Sequence, residues 1–435
     1  MLRILKIIPD FPPRFTTGLE AYSRTLVHAL VNAGHEVAVF SRFENPFVPD
    51  YESSIELDPL EPRIRLYSVN MVKECDRYSH EKVDTQLSLS LDKFEPDVVH
   101  IGHLNHLSTS IVKVIADKGI PILFTLHDYW LVCPQGQFIQ TGFGEDEPWS
   151  LCDGQDDKKC AVQCYSCYFS GLSNHVDADI RYWTNWVNKR MAHVKEIMNL
   201  VDLFVAPSKH LYNRFTKEFG LPTDKIVYLD YGFNLSRLSG RKRRKEAGFV
   251  FGYVGAHTPR KGLHHLIEAF GLLEGKVKLR IYGRTQAPNT ASLQNLATKL
   301  SETKAEQIEW IPEYLYEEIT PQVFNKVDAI VVPSIWDEIS SMIIKEAQQV
   351  RIPIIAADHG CMKEYVAHEI NGLLFQNRNT KDLAEQMKKF VDNPSWAEEL
   401  GERGYLYSDS GDVLSIDEHC KWIIKHYEKA LEAKN

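Results

Sequence analysis

Residues 331–364 read VVPSIWDEISSMIIKEAQQVRIPIIAADHGCMKE. A short apolar strand, DAIVVPS, breaks at Pro333-Ser334, the loop IWDEISS follows, and an amphipathic helix, MIIKEAQQV, leads to a second apolar strand, IPIIAAD. Short unbroken apolar runs alternating with helices are the mark of strands buried on both faces of a parallel sheet. The loop therefore stands at the carboxyl end of a strand and the amino end of a helix. Backbone N–H groups there lack helical partners and carry the positive end of the dipole, which suits phosphate. Two acids flank the position, Glu338 in the loop and Glu346 two turns into the helix. A helical face returns after about seven residues, so Glu346 is expected beside the loop rather than directly beneath it.

The chain has 435 residues, more than one core usually supports, and two or three domains are expected. Its 25% charged and 44% hydrophobic residues are ordinary for a globular enzyme, and a net charge of −9 argues against general nucleic-acid binding. No apolar run approaches the ~18 residues of a membrane span. The start, MLRILKIIPDFPP, reads as a first strand and not as a signal peptide. A cytoplasmic location is expected.

The spacing Glu338-x7-Glu346 resembles the signature of the retaining glycosyltransferases of family 4. The match continues through residues 352–355 (IPII), Gly360, Glu364 and residues 371–375 (NGLLF), the segment that closes the family's donor site. The resemblance implies a GT-B fold: α/β, two Rossmann-like doubly wound domains facing a cleft, with a C-terminal helix crossing back to the first domain. The boundaries follow as 1–235 for the acceptor-side domain, 236–412 for the nucleotide-sugar domain and 413–435 for the returning helix.

The first half repeats the same alternation. Residues 2–8 form a strand, the helix EAYSRTLVHALVNAG stops at Gly34, and EVAVFSR is a second strand. This opening resembles the family's "P…GGxE…GHeV", with His35-Glu36-Val37 and Gly18 in place and Thr17 where the first glycine would be. Gly18 is accordingly expected on the donor, unless the loop is an ordinary strand–helix turn. Residues 44–95 read as irregular and mostly polar and carry no chemistry. PDVVHIGH and IPILFTLHDYW are two more strands, so His127-Asp128 stands at the strand end where α/β ligands bind. A packed strand terminus is the plain alternative, while the resemblance places His127 in the acceptor and transferred-sugar pocket.

Five of the eight cysteines fall between 133 and 167, within an insert at about 133–170. Cys133, Cys152, Cys160, Cys164 and Cys167 are spaced almost as thiolate ligands of zinc or an iron–sulfur cluster. Inside a reducing cell metal is favoured over disulfides. The expected set is Cys133, Cys152, Cys160 and Cys167, with Cys164 as the substitute; free thiols or disulfides are the alternatives. Four thiolates leave no open position, so such a metal would be structural. Residues 177–198 read as one amphipathic helix carrying Arg181, Trp183, Trp186, Lys189 and Arg190, packed on its own domain or touching an anionic membrane surface. Ser208 resembles the family's "apS" turn.

RLSGRKRRKEAG reads as a solvated linker, with a phosphate-attracting membrane patch as the other reading. Beyond it, residues 259–262 (PRKG) stand at a loop–helix junction, a natural diphosphate position. Lys261 matches the family's "p.KG" lysine; the family's arginine five positions earlier is Ala256 here, which leaves Arg260 as the second cation. By resemblance Gly283 belongs to the "iyG" strand end, the nucleoside base lies near Ile311-Pro312, Glu346 holds the ribose hydroxyls and Glu338 the transferred sugar. Ser340, Ser341 and Met342 would present the helix amino terminus to the diphosphate. The last segment shows an apolar stripe at Trp422, Ile423, Tyr427 and Leu431.

Together these imply a retaining transfer from a nucleotide diphosphate sugar to a glycan, glycolipid or small hydroxyl acceptor, without nucleic acid. No catalytic metal is expected, since Lys261 and Arg260 neutralise the diphosphate and no Asp-x-Asp motif is present. Two other classes stand beside it: a GT-B sugar-nucleotide epimerase, and a non-catalytic scaffold or metal-dependent sensor.

Overall fold

The computed structural model describes residues 1–12, 18–71, 78–142, 149–172, 175–311 and 313–434. Thr17 and Pro312 lie outside them. The chain forms two compact units, Met1–Phe233 with Leu414–Asn435, and Asn234–Val413.

The first unit is an eight-stranded sheet built from β1 (Arg3–Ile7), β2 (Glu36–Phe43), β3 (Ser53–Leu57), β4 (Arg65–Asn70), β5 (Val98–Ile101) and β6 (Ile122–Thr125). A small antiparallel pair, β7 (Ile139–Gln140) and β8 (Ser150–Leu151), stands apart before β9 (Leu203–Ala206) and β10 (Ile226–Tyr228) complete the sheet. The order is β10-β9-β6-β5-β1-β2-β4-β3, parallel throughout except for β3 against β4. The central strands RILKI, VVHI and ILFT are almost wholly buried, as unbroken apolar runs require. Connections leave β1 towards β2 and later return to its other side at β5, which puts a topological switch point between β1 and β5.

Residues 44–95 are more regular than their sequence suggests. They hold β3, β4 and the helix Glu81–Phe94. β3 is an exposed edge strand with no alternating apolar face, so it leaves no period-two signal.

The chain ends in the first unit. Phe233 N–H donates to Leu414 O at 2.9 Å and Ile416 N–H to Phe233 O at 2.8 Å, which launches the helix Ile416–Lys434. Its buried face is His419, Cys420, Ile423, Tyr427 and Ala430. Trp422, read from sequence as part of the stripe, is instead half exposed beneath Lys425. Polar anchors fix the helix: Tyr427 OH pairs with His100 Nδ1 at 2.7 Å, and Tyr22 OH with His419 Nε2 at 2.8 Å.

The second unit has six parallel strands, β11 (Phe249–Val254), β12 (Val277–Tyr282), β13 (Ile308–Ile311), β14 (Ala329–Val332), β15 (Ile354–Ala357) and β16 (Gly372–Phe375). Their order, β13-β12-β11-β14-β15-β16, is that of a dinucleotide-binding Rossmann sheet. The switch point lies between β11 and β14. Among the described residues no helix is long and apolar enough to cross a membrane.

Candidate active site

Both loops that leave the switch point of the second unit carry predicted residues. The loop after β11 holds Arg260 and Lys261; the loop after β14 holds Glu338, and the helix Met342–Gln349 follows it. The two loops touch directly, Ile335 N–H donating to Arg260 O at 2.9 Å. Gly262 makes this contact feasible. Its φ is +66°, and a Cβ there would sit 1.8 Å from Pro333 O.

Lys261 Nζ meets Glu338 Oε1 at 2.5 Å, and Ser334 Oγ donates to the same oxygen at 2.7 Å. Glu338 is 5% exposed. Burial pushes its carboxyl up, but the Lys261 ammonium and the hydrogen bonds outweigh it and hold it below the usual carboxylate range. At neutral pH it is an ionised acceptor, suited to receiving sugar hydroxyls and not to donating a proton.

Glu346 lies a little over one turn into the helix, nearer the loop than the two turns expected, because the helix begins only at Met342. Its partner was not foreseen. Arg237 Nη1 bonds Glu346 Oε1 at 2.6 Å, while Arg237 Nε donates to Tyr316 O at 2.9 Å and the guanidinium lies 3.6 Å from the Tyr316 ring centre. Both charged groups are about 95% buried, Arg237 at 6% exposure and Glu346 at 5%.

Arg237 opens the stretch read as a solvated linker; most of its residues are exposed, but Arg237, Arg241 and Arg244 are pinned to the second unit. Arg241 caps the carbonyls of Phe324, Val350 and Arg351, Arg243 pairs with Glu398 and Glu402, and Arg244 with Asp328 and Glu246. The arginines of the run tie carbonyls and acids of their own unit.

Ser340 and Ser341 are buried at the helix start, and Lys345 Nζ donates to Ser340 Oγ at 2.6 Å; Met342 is the first helical residue. Gly283, with φ +136°, has its own structural reason: a Cβ would lie 2.0 Å from Gly255 O, so it is small to let two backbones meet. Ile311 ends β13 beside Trp310, whose ring packs edge-on against His257 at 5.6 Å.

In the first unit Gly18 is the exposed first residue of the helix Gly18–Asn32. His127 follows β6. Its Nδ1 meets Tyr231 OH at 2.5 Å, the rings stacked at 5.5 Å, and its Nε2 is shielded from solvent without a hydrogen-bond partner. Burial, reinforced by Lys6, holds the imidazole well below its ordinary pKa, so it is neutral. Lys6 is fully buried in β1 with no partner for Nζ, and burial lowers it to about 7.

Sequence reasoning passed over His103, which stands just after β5 at the switch point. Asn105 N–H donates to its Nδ1 at 2.9 Å, so the neutral ring carries its proton on Nε2 and gives it to Asp128 Oδ2 at 3.1 Å. Its place after a central strand was the available signal.

The insert packs its helix Asp157–Cys164 on the helix Val176–Asn199. Arg190, one of the aromatic and basic residues noted on this helix, is buried over the Trp130 ring and donates to Trp130 O at 2.7 Å. No disulfide joins the described cysteines. Cys133, Cys152, Cys160 and Cys164 line one cavity, whereas Cys167 is exposed. Cys160 and Cys164 stand at positions i and i+4 on one helical face, and Cys167 lies beyond the helix end. Among the described residues no group of three or more His, Cys, Asp or Glu side chains is placed to hold a metal ion. Burial pushes the Cys160 thiol to about 11 and the Cys164 thiol to about 12.

The profile described as Glycosyltransferase Family 4 matches residues 16–237, and that of Glycosyl transferases group 1 matches residues 237–407. The chain belongs to glycosyltransferase family 4. One uncharacterized glycosyltransferase of Methanocaldococcus jannaschii is 26% identical over 208 residues, 48% of this chain and 54% of its own length. A second from the same organism is 20% identical over 99% of both chains. Among solved structures, sucrose-phosphate synthase from Thermosynechococcus elongatus aligns with TM-score 0.71, 17% identity and full coverage of both chains. Anabaena HepE in complex with UDP and glucose aligns with TM-score 0.66 and 15% identity over 99% of this chain and 100% of that one. These neighbours are GT-B glycosyltransferases, and the family shares their two Rossmann-like domains.

Proposed function

We propose that this glycosyltransferase takes a sugar from a nucleotide diphosphate sugar and transfers it, with retention at the anomeric carbon, to an acceptor hydroxyl in glycan, glycolipid or polysaccharide synthesis. The observation that carries the reading is the part-buried Lys261–Glu338 pair, with Glu338 itself buried, at the switch point of the second unit. Breaking the anomeric C–O bond builds negative charge on the leaving diphosphate and positive charge on the sugar. Lys261 and Arg260, with the helix start at Ser340, Ser341 and Met342, stabilise the diphosphate. Glu338, ionised throughout, receives hydroxyls of the transferred sugar, and Glu346, held by Arg237, receives those of the ribose. Neutral His127 serves the transferred-sugar and acceptor side. The departing diphosphate takes the acceptor's proton, so neither glutamate acts as nucleophile or general acid. The bound UDP-glucose of an Anabaena HepE structure supports a nucleotide-sugar donor.

The test is donor hydrolysis followed by NMR. The first sugar released from an α-linked donor is expected as the α-anomer, at a rate cut at least tenfold in Lys261→Ala. A first-formed β-anomer would sink the retaining mechanism.

A further inference from the structure

Cys133 comes from the loop after β6, Cys152 follows β8, and Cys160 and Cys164 sit on successive turns of the helix Asp157–Cys164. All four line one small, partly open and mostly apolar space, with Gln135, Phe138, Ile139 and Gln155 among its other residues. The space has room for about one water-sized sphere, but a water there would find almost no polar partners.

Backbone amides are aimed at the sulfurs. The N–H groups of Phe138, Gln137 and Gln135 are within hydrogen-bonding reach of Cys133, and that of Thr141 reaches Cys164. Such donors are the usual outer support of metal-bound sulfur. Two cations stand close by, Lys159 near Cys152 and Cys160, and Arg190 near Cys133. Cys152 Sγ has one polar contact, to Gly154 O at 3.0 Å.

We propose that Cys133, Cys152, Cys160 and Cys164 bind one zinc ion as a closed structural site. The four cysteines line the cavity but are not placed to hold a metal ion as they stand, so binding requires the sulfurs to turn inward by rotation about each Cα–Cβ bond. Four S–H bonds break, four Zn–S bonds form, and the four protons pass to solvent as the ion sheds its waters. The resulting charge of −2 faces the amide donors, Lys159 and Arg190. Four soft sulfur ligands select a thiophilic ion and leave no position for substrate, and the size of the space suits one ion better than a multi-iron cluster.

The ion also acts on the strand end. Cys133 N–H donates to Tyr129 O at 2.7 Å, Tyr129 N–H to Gly136 O at 3.0 Å, and Trp130 N–H to Asp128 Oδ1 at 2.7 Å. Zinc would therefore hold the loop that braces Asp128, beside His127.

The experiment measures metal in the full chain purified without chelator, alongside Cys164→Ser and Cys167→Ser. About one zinc per chain is expected in the wild type and in Cys167→Ser, and under about 0.2 in Cys164→Ser. Because Cys164→Ser can fail to fold, the wild type is also stripped and reloaded with cobalt, which should give thiolate-to-cobalt charge-transfer and tetrahedral ligand-field bands. The proposal is overturned by reduced, folded wild type that holds no zinc and takes up no cobalt. It is equally overturned by a visible iron chromophore, or by zinc lost in Cys167→Ser and kept in Cys164→Ser.

Discussion

Replacing Arg237 by methionine tests how the second unit holds Glu346. Methionine keeps the apolar stem and removes the charge, the bond to Tyr316 O and the stacking on the Tyr316 ring. What remains is a carboxylate at 5% exposure whose 2.6 Å partner is gone. Removing one partner of a buried pair costs about 3–5 kcal/mol, far more than an exposed pair would. For a unit of this size that corresponds to a fall in Tm of roughly 6–20 °C. Arg237→Met/Glu346→Gln removes both charges and should recover most of the stability, giving a coupling of about 2–3 kcal/mol in the double-mutant cycle. The assay is denaturant unfolding at pH 7.5, with nucleotide titration on the same samples. If Arg237→Met lies within about 1 kcal/mol of wild type at pH 7.5, the buried pair is not what holds Glu346 and the argument fails.

Gly262→Ala should abolish nucleotide binding and cost at least about 3 kcal/mol, since a left-handed backbone is strained and the new methyl meets the Pro333 carbonyl; urea unfolding checks it, and a neutral result refutes the close approach. Lys6→Met should stabilise the first unit by roughly 3–5 kcal/mol at pH 6, because protonating a buried lysine whose pKa has fallen from 10.5 to about 7 penalises the folded state. The penalty is full below about pH 7 and lifts as the pH rises towards 10.5, so the advantage of Lys6→Met should fade in that window. Glu338 works in the opposite sense. Its lowered carboxyl pKa contributes stability above the ordinary carboxylate range, lost as the pH falls through the lowered value. Wild type should therefore lose Tm more steeply than Glu338→Gln between about pH 5 and pH 3, read by differential scanning fluorimetry.

The alternation of apolar runs and helices was legible, because strands buried on both faces must be continuously apolar; β11, β14 and β15 lie where that pattern puts them. β3 was not, since an exposed edge strand has no face to mark. Glu338 and Lys261 were legible from their places after strands, but the bond between them is set by two loops more than 70 residues apart in the chain. Arg237 was hidden within a run of basic residues that looks the same whether it is solvated or pinned. Gly283 was noted for its match to the family's strand end, and its close contact with Gly255 was not visible in the sequence. Cysteine spacing did not reveal that Asp156 caps residues 157–164 and that Cys160 and Cys164 share a face.

The central claim is that the loops at the switch point of the second unit hold a nucleoside diphosphate. Calorimetric titration of the full chain with UDP, GDP and ADP tests it most directly, each paired with its nucleoside and run beside Lys261→Ala and Glu346→Ala. One diphosphate should bind at least tenfold tighter than its nucleoside, Lys261→Ala should erase most of that difference, and Glu346→Ala should weaken both ligands alike. Equal affinity for diphosphate and nucleoside, or binding untouched by either substitution in folded protein, would contradict the account.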